Sequence, residues 1–423
     1  MCKPAIKMQV FLRFHLRDGS HKNRELSAIM PVLLQTDTGP EFGYVLTVLR
    51  FWPQAPNNKK MQESGRYEVM TCIQKSVSQR CNGIAGFRGA ITAALAGAIL
   101  SGCGTVNNMI YKTTGDVMQG FSSDHTVPYL LESDDLAMGC AMSEATAPLL
   151  MSFGRVTSEP DQLAVMLYLS AGGCAEEQAR EHELAGLGAL RARNSEKAED
   201  AMIRQKRSLS LAATRYHRGW NHHNAFYGKP DEGECPGFDE ALGEFIYLAG
   251  LLSGIQALNA EIQSTSSIGV PKNIGSTVAR ATSCLDNEKW WGAPMALRAT
   301  VWAMIPGAMP DGEDPFERLE IADEQGEVAG VRISHVFHAV AAQNKGDDER
   351  LRAVIRSHAD AIAETPANTE WKFVDAMATQ MIVAISDRMW MEGTGHRTPT
   401  GKLGTFWDDE KEAVETMDLD DLL

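Results

Sequence analysis

From residue 127 onward, apolar residues recur at three- and four-residue intervals, the spacing that lines them up on one face of a helix. Val127–Phe153 carries Leu130, Leu131, Leu136, Ala137, Ala141, Ala145 and Leu149, with Asp134, Asp135 and Glu144 between them. Gln162–Gly172 is a compact apolar segment, and Cys174–Leu190 sets Glu176, Glu177 and Glu181 among alanines. Ser195–Gly219 is charged and amphipathic, whereas Phe238–Gln263 is largely apolar. Further helices are predicted near Ile274–Leu285, Trp291–Ile305, Pro315–Ala322, Val331–Gln343, Asp347–Glu364 and Thr369–Met391. Breaks such as Gly228-Lys-Pro, Gly269-Val-Pro, Pro306-Gly and Pro310-Asp-Gly punctuate the series. The predicted fold class is all-α: a degenerate tetratricopeptide-like array of helix pairs over residues 126–395, with an irregular helical bundle as the alternative. Ile274–Leu285 with Trp291–Ile305, and Asp347–Glu364 with Thr369–Met391, stand at suitable spacings, although the full repeat consensus is absent. Residues 396–423 read as an acidic tail, solvated or loosely helical.

Upstream the pattern changes. A basic flank (Lys75, Arg80, Arg88) precedes an uncharged apolar run from Gly89 to Leu100, and Ser101-Gly102-Cys103 closes it. The run is too short for a stable membrane anchor but suits the apolar core of a signal peptide. The positive flank stays cytoplasmic, and small residues admit a peptidase before the cysteine. Leu100-Ser-Gly-Cys103 resembles the bacterial lipobox. The expected organisation is a signal peptide over 70–102, a lipidated Cys103 that labels with palmitate, and a polar tether over 103–125. Translation is then expected to start at Met70 or Met61, with residues 1–69 an over-translated or disordered extension lacking the helical pattern downstream. Gly104 rather than Asp follows the cysteine, which favours the periplasmic face of the outer membrane over the inner membrane. More than one acyl chain on Cys103 gives stable anchoring, since a single chain binds only marginally.

Composition narrows the function. The chain has 423 residues and a formal net charge of -15, which argues against a nucleic-acid partner. No phosphate-binding loop, Gly-x-Ser-x-Gly or His-Glu-x-x-His motif occurs, so neither an enzyme nor a cofactor is implied.

The lipobox, the polar tether and the helical body together resemble the T-component of tripartite ATP-independent periplasmic (TRAP) transporters, which are tetratricopeptide-containing lipoproteins. The best local likeness is Trp290-Trp-Gly-Ala-Pro-Met-Ala-Leu-Arg-Ala-Thr-Val-Trp-Ala-Met-Ile-Pro306, followed by Asp314-Pro-Phe-Glu. The resemblance covers about Val127 to Met391. It implies a periplasmic binding or scaffold lipoprotein, accessory to uptake of a small hydrophobic or organic-anion ligand. Its expected partners are the membrane, a periplasmic solute-binding protein and further copies of itself.

Three constellations are candidates for chemistry. Trp290, Trp291, Met295 and Trp302 are candidate walls of an apolar ligand site, against the plainer reading that they are core. His217, His222 and His223 supply an alternative, a metal site or metalloenzyme; the plainer reading is a helix end running into a Gly/Pro loop. Setting Cys103 aside, Cys140, Cys174, Cys235 and Cys284 are even in number for an oxidising compartment. Of three pairings, Cys140–Cys174 with Cys235–Cys284 is preferred because the first two lie on adjacent helices; four buried thiols are the alternative. Asp134, Asp135 and the glutamate pairs read as solvated helix faces.

Overall fold

The computed structural model describes residues 6–17, 23–34, 111–155, 160–230 and 235–409. The signal segment 70–102 and Cys103 lie outside these residues. Two strands, β1 (Ile6–Arg17) and β2 (Asn23–Leu34), pair antiparallel, with Ile6 opposite Leu34 and Arg17 opposite Asn23. Residues 1–69, expected as an over-translated or disordered extension without a helical pattern, thus include two strands among the described residues. The missed signal was a period of two: Ile6, Met8, Val10, Leu12, Phe14 and Leu16 alternate with mostly polar neighbours.

The body, residues 111–409, is all-α. Residues 111–121 are helical (α1), a π turn spans Ser122–Thr126, and α2 (Val127–Leu131) follows directly. The described part of the expected tether is therefore helix. Next come α3 (Leu136–Phe153), α4 (Asp161–Arg191), α5 (Ser195–Tyr227) and α6 (Ala241–Ser264). The series ends with α7 (Ile274–Ala281), α8 (Ala293–Met304), α9 (Pro315–Ala329), α10 (Ile333–Lys345), α11 (Asp348–Glu364) and α12 (Lys372–Thr394).

Local chemistry sets many of these ends. Asp135, Asn194, Asp314 and Asp347 each accept a hydrogen bond from a backbone N–H of the first turn, capping α3, α5, α9 and α11. Two predicted segments merge into α4, because Gly172-Gly173 does not break the helix but thins it. A Cβ on Gly172 would lie 2.4 Å from the Tyr216 ring, so the glycine lets α4 and α5 approach closely. The same device joins α5 to α6, where Gly254 and Gly250 sit beneath Trp220 and His223. α6 is apolar nearly all round and accordingly buried.

Neighbouring helices pack in succession along much of the chain, and α12 then returns to α10, α4, α3 and α2. In an open repeat array each unit touches only its neighbours; here the last long helix closes back on the first ones. Arg397, just beyond α12, grips Glu181 of α4 with two bonds of 2.7 and 2.6 Å. Arg191 donates to the carbonyls of Glu392 and Gly393. A buried ion pair holds the α10–α12 corner. Arg332 Nη1 donates to Asp375 Oδ2 at 2.7 Å and its backbone N–H to Oδ1 at 2.9 Å. Its other terminal nitrogen reaches the carbonyls of Ala361 and Thr365. Residues 396–409, the described part of the expected acidic tail, are mostly exposed but docked on the body: Phe406 is buried, Trp390 Nε1 donates to the Thr405 carbonyl, and Asp408 and Asp409 pair with Arg352 and Arg356.

Candidate ligand cavity

The return of α12 completes the wall of a partly open cavity of about 520 Å³. Its wall is apolar for most of its extent. α8 contributes Leu297, Thr300, Val301 and Met304, α10 contributes Ile333, Val336, Phe337 and Val340, and α12 contributes Phe373, Met377 and Met381. Leu252, Ile255 and Leu258 of α6 face them, and Leu136, Cys140, Leu169 and Cys174 of α3 and α4 complete the wall. On α8 and α10 these residues follow the three- and four-residue step, so each helix offers one stripe to the cavity. Polar groups are few: the amides of Gln256, Asn259, Asn344 and Gln380, the hydroxyl residues Ser170, Thr300 and Tyr216, and a charged patch on α4.

That patch comprises Glu176, Glu177 and Arg180, within one turn of each other. Arg180 Nε and Nη2 both donate to Glu177 Oε2, at 3.0 and 2.7 Å, and Nη1 lies 3.4 Å from Glu176. Tyr216 of α5 donates its hydroxyl to Glu176 Oε2 at 2.6 Å. Burial opposes the Arg180 charge, but the two carboxylates outweigh it and hold the guanidinium above its usual pKa. Burial, and then the Glu176 charge, push the Tyr216 phenol well above its ordinary value, so it stays a donor. The expectation that these glutamates form a solvated face is corrected. An i, i+3 Glu–Arg pair looks the same in sequence on a surface and on a cavity wall.

Trp290, Trp291, Met295 and Trp302 do not line the cavity. Trp290 and Trp291 are buried with Phe245 and Trp371 in an aromatic cluster whose ring centroids lie 4.6–6.3 Å apart. Met295 packs partly buried against the core, and Trp302 is half-buried. α8 borders the cavity through Leu297, Thr300, Val301 and Met304 instead. The backbone turn at Trp291 (φ 54) and Gly292 (φ 74) sets Gly292 against α9, where a Cβ would lie 2.5 Å from the Ala322 carbonyl oxygen. That contact orients α8 and sends its Leu297–Val301–Met304 stripe into the cavity.

The three histidines do not converge. His222 Nδ1 is 2.6 Å from Asp161 Oδ1 and its ring stacks on Tyr168. His223 points into the core between Trp220 and Tyr247, where burial lowers its pKa to about 4. His217 is half-buried on another face, its pKa lowered by burial. All three lie toward the C-terminal end of α5, which runs into the Gly228-Lys-Pro loop as the plainer reading has it, and among the described residues no cluster of three or more metal-ligating side chains forms. The cysteines are joined as Cys140–Cys174, Cα atoms 5.7 Å apart, and Cys235–Cys284, 5.3 Å apart. The first bridge staples α3 to α4 in the cavity wall itself.

A second titratable cluster lies away from the cavity. Buried His335 and His358 approach at 3.2 Å through their Nδ1 atoms. His335 Nε2 stands 3.2 Å from Glu327, and His358 Nε2 stands 3.2 Å from Thr379 Oγ1. Burial first, then the charges of His335 and Arg332, lower the His358 pKa to about 3.

No known family, curated protein or solved structure matches this chain. The cavity therefore carries the functional reading.

Proposed function

We propose that this protein is a lipid-anchored, extracytoplasmic binding protein that holds a small apolar molecule in the cavity closed by α12, without catalysing a reaction on it. The observation carrying this reading is the wall itself. A concave site of about 520 Å³ with mostly aliphatic lining and a few converging polar groups is the usual form of a small-molecule site. The lipobox-like run ending at Cys103 supports an envelope location, and two disulfides fit an oxidising compartment. With the resemblance to TRAP T-components, these features favour an accessory role in uptake, passing ligand to or from a periplasmic solute-binding protein.

Native mass spectrometry tests the reading. The purified protein is expected to carry a co-purifying small molecule, and Val340→Trp, which takes up part of the cavity, is expected to carry less of it. A wild-type protein of bare polypeptide mass that also takes up no added apolar compound refutes the binding role. Labelling with radioactive palmitate tests the anchor: Cys103→Ser should abolish incorporation, and equal labelling of the variant refutes it.

A further inference from the structure

The cavity wall is selective about charge. Among its lining residues only Glu176, Glu177 and Arg180 are ionic, and together they leave one negative charge uncompensated. Arg180 is the sole cation there, and it is committed: two of its nitrogens donate to Glu177 and a third faces Glu176. Arg397, whose charge also reaches Glu177, is held in its two-bonded pair with Glu181. An anionic end group entering here would have to displace a carboxylate from its guanidinium while lying against a second carboxylate. Both costs are larger in an apolar cavity than in water. A donor meets the opposite situation. Glu177 Oε1 takes part in none of the described bonds and is open to a donor, whereas the amides of Gln256, Asn259, Asn344 and Gln380 carry both donors and acceptors and do not choose between end groups.

Resting on the cavity reading above, we infer that the ligand is an amphiphile with an aliphatic body and a hydrogen-bond-donating end group, an amine or a hydroxyl, seated at Glu176, Glu177 and Arg180. An organic anion is excluded from this position by the same geometry. The volume of about 520 Å³ accommodates about seventeen methylene-sized groups, counting roughly 30 Å³ for each, the share of a water molecule.

Isothermal titration of the full chain at pH 7 with decylamine, decanol and decanoate, each below its micelle concentration, decides the matter. The three probes share one body and differ only at the end. Decylamine and decanol are expected to bind at least tenfold more tightly than decanoate. Decanoate binding within tenfold of either overturns the inference and leaves the cavity reading intact. No binding by any of the three overturns both. Glu177→Gln removes the charge and keeps the shape. It should narrow the gap between decylamine and decanoate at least threefold while leaving decanol unchanged; an unaltered gap shows that this patch does not seat the end group. Should the variant unfold, the comparison of the three probes on the wild type still decides.

Discussion

Asp375 accepts from Arg332 twice, once from the side chain and once from the backbone, in a corner where both residues are buried. Removing one partner of such a pair strands the other charge without water. Asp375→Ala is therefore expected to lower stability by about 3–5 kcal/mol, read as a shift in the denaturant midpoint. Two of the glycines of α4 predict opposite effects. At Gly172 an added methyl meets the Tyr216 ring at 2.4 Å, so Gly172→Ala should cost about 1–3 kcal/mol. At Gly186 the nearest atom is the Ala201 methyl at 3.5 Å, an ordinary contact, so Gly186→Ala should stabilise by about 0.5–1 kcal/mol. Equal effects at both positions would contradict the packing of α4 on α5. The buried histidines give a third residue-scale expectation. His358 and His223 have folded pKa values of about 3 and about 4, below the ordinary 6.5, so the unfolded chain binds more protons across that interval. Their contribution is complete above pH 6.5 and is lost as the pH falls, by up to about 1.4 kcal/mol per pH unit for each histidine. Denaturant midpoints measured from pH 7 down to pH 4.5 should fall; a midpoint that rises would contradict the burial of both rings.

At the scale of elements, the Cys140–Cys174 bridge joins two helices that also wall the cavity. It closes a loop of 34 residues, for which the chain-entropy account gives about 3–4 kcal/mol. Replacing both cysteines with serine should lower stability by that order and speed amide exchange in α3 more than in α6. Equal acceleration in both would mean the bridge acts on the whole body rather than on the α3–α4 seam. Helix existence was largely legible in the sequence. The apolar period placed α6, α10, α11 and α12 within a few residues of their observed bounds, because the caps and glycine stops are local chemistry. Where the reading failed, the determinant lay outside the segment. Gln162–Gly172 and Cys174–Leu190 read as separate segments in the sequence, yet the Tyr216 ring fills the space Gly172 leaves and α4 runs through. On α5, His217, His222 and His223 looked like ligands because they are dense in sequence, but successive helical positions send them to different faces.

For the whole molecule, the return of α12 to α4 matters most, since it turns a succession of helices into a closed body with an interior. A ligand that binds only the folded state at a hundred times its dissociation constant should add about 2.7 kcal/mol to stability, visible as a rise in Tm. Val340→Trp, which narrows the cavity, should reduce that rise while keeping a cooperative transition; an undiminished rise would place binding elsewhere.

By itself the sequence determined that the chain from residue 127 onward is helical, where most of its helices start and stop, and which cysteines were available to pair. Those properties depend on side chains within a few positions of one another. Only the tertiary structure decided which stripe of each helix faces the cavity, and that Glu176, Glu177 and Arg180 belong to a wall rather than to the solvent. α6 and α8 are apolar over so much of their surface that no period marks the cavity side. The choice falls to partners far away in the chain, such as Ala322 against Gly292 and α12 against α4, and their approach is written in packing rather than in local pattern.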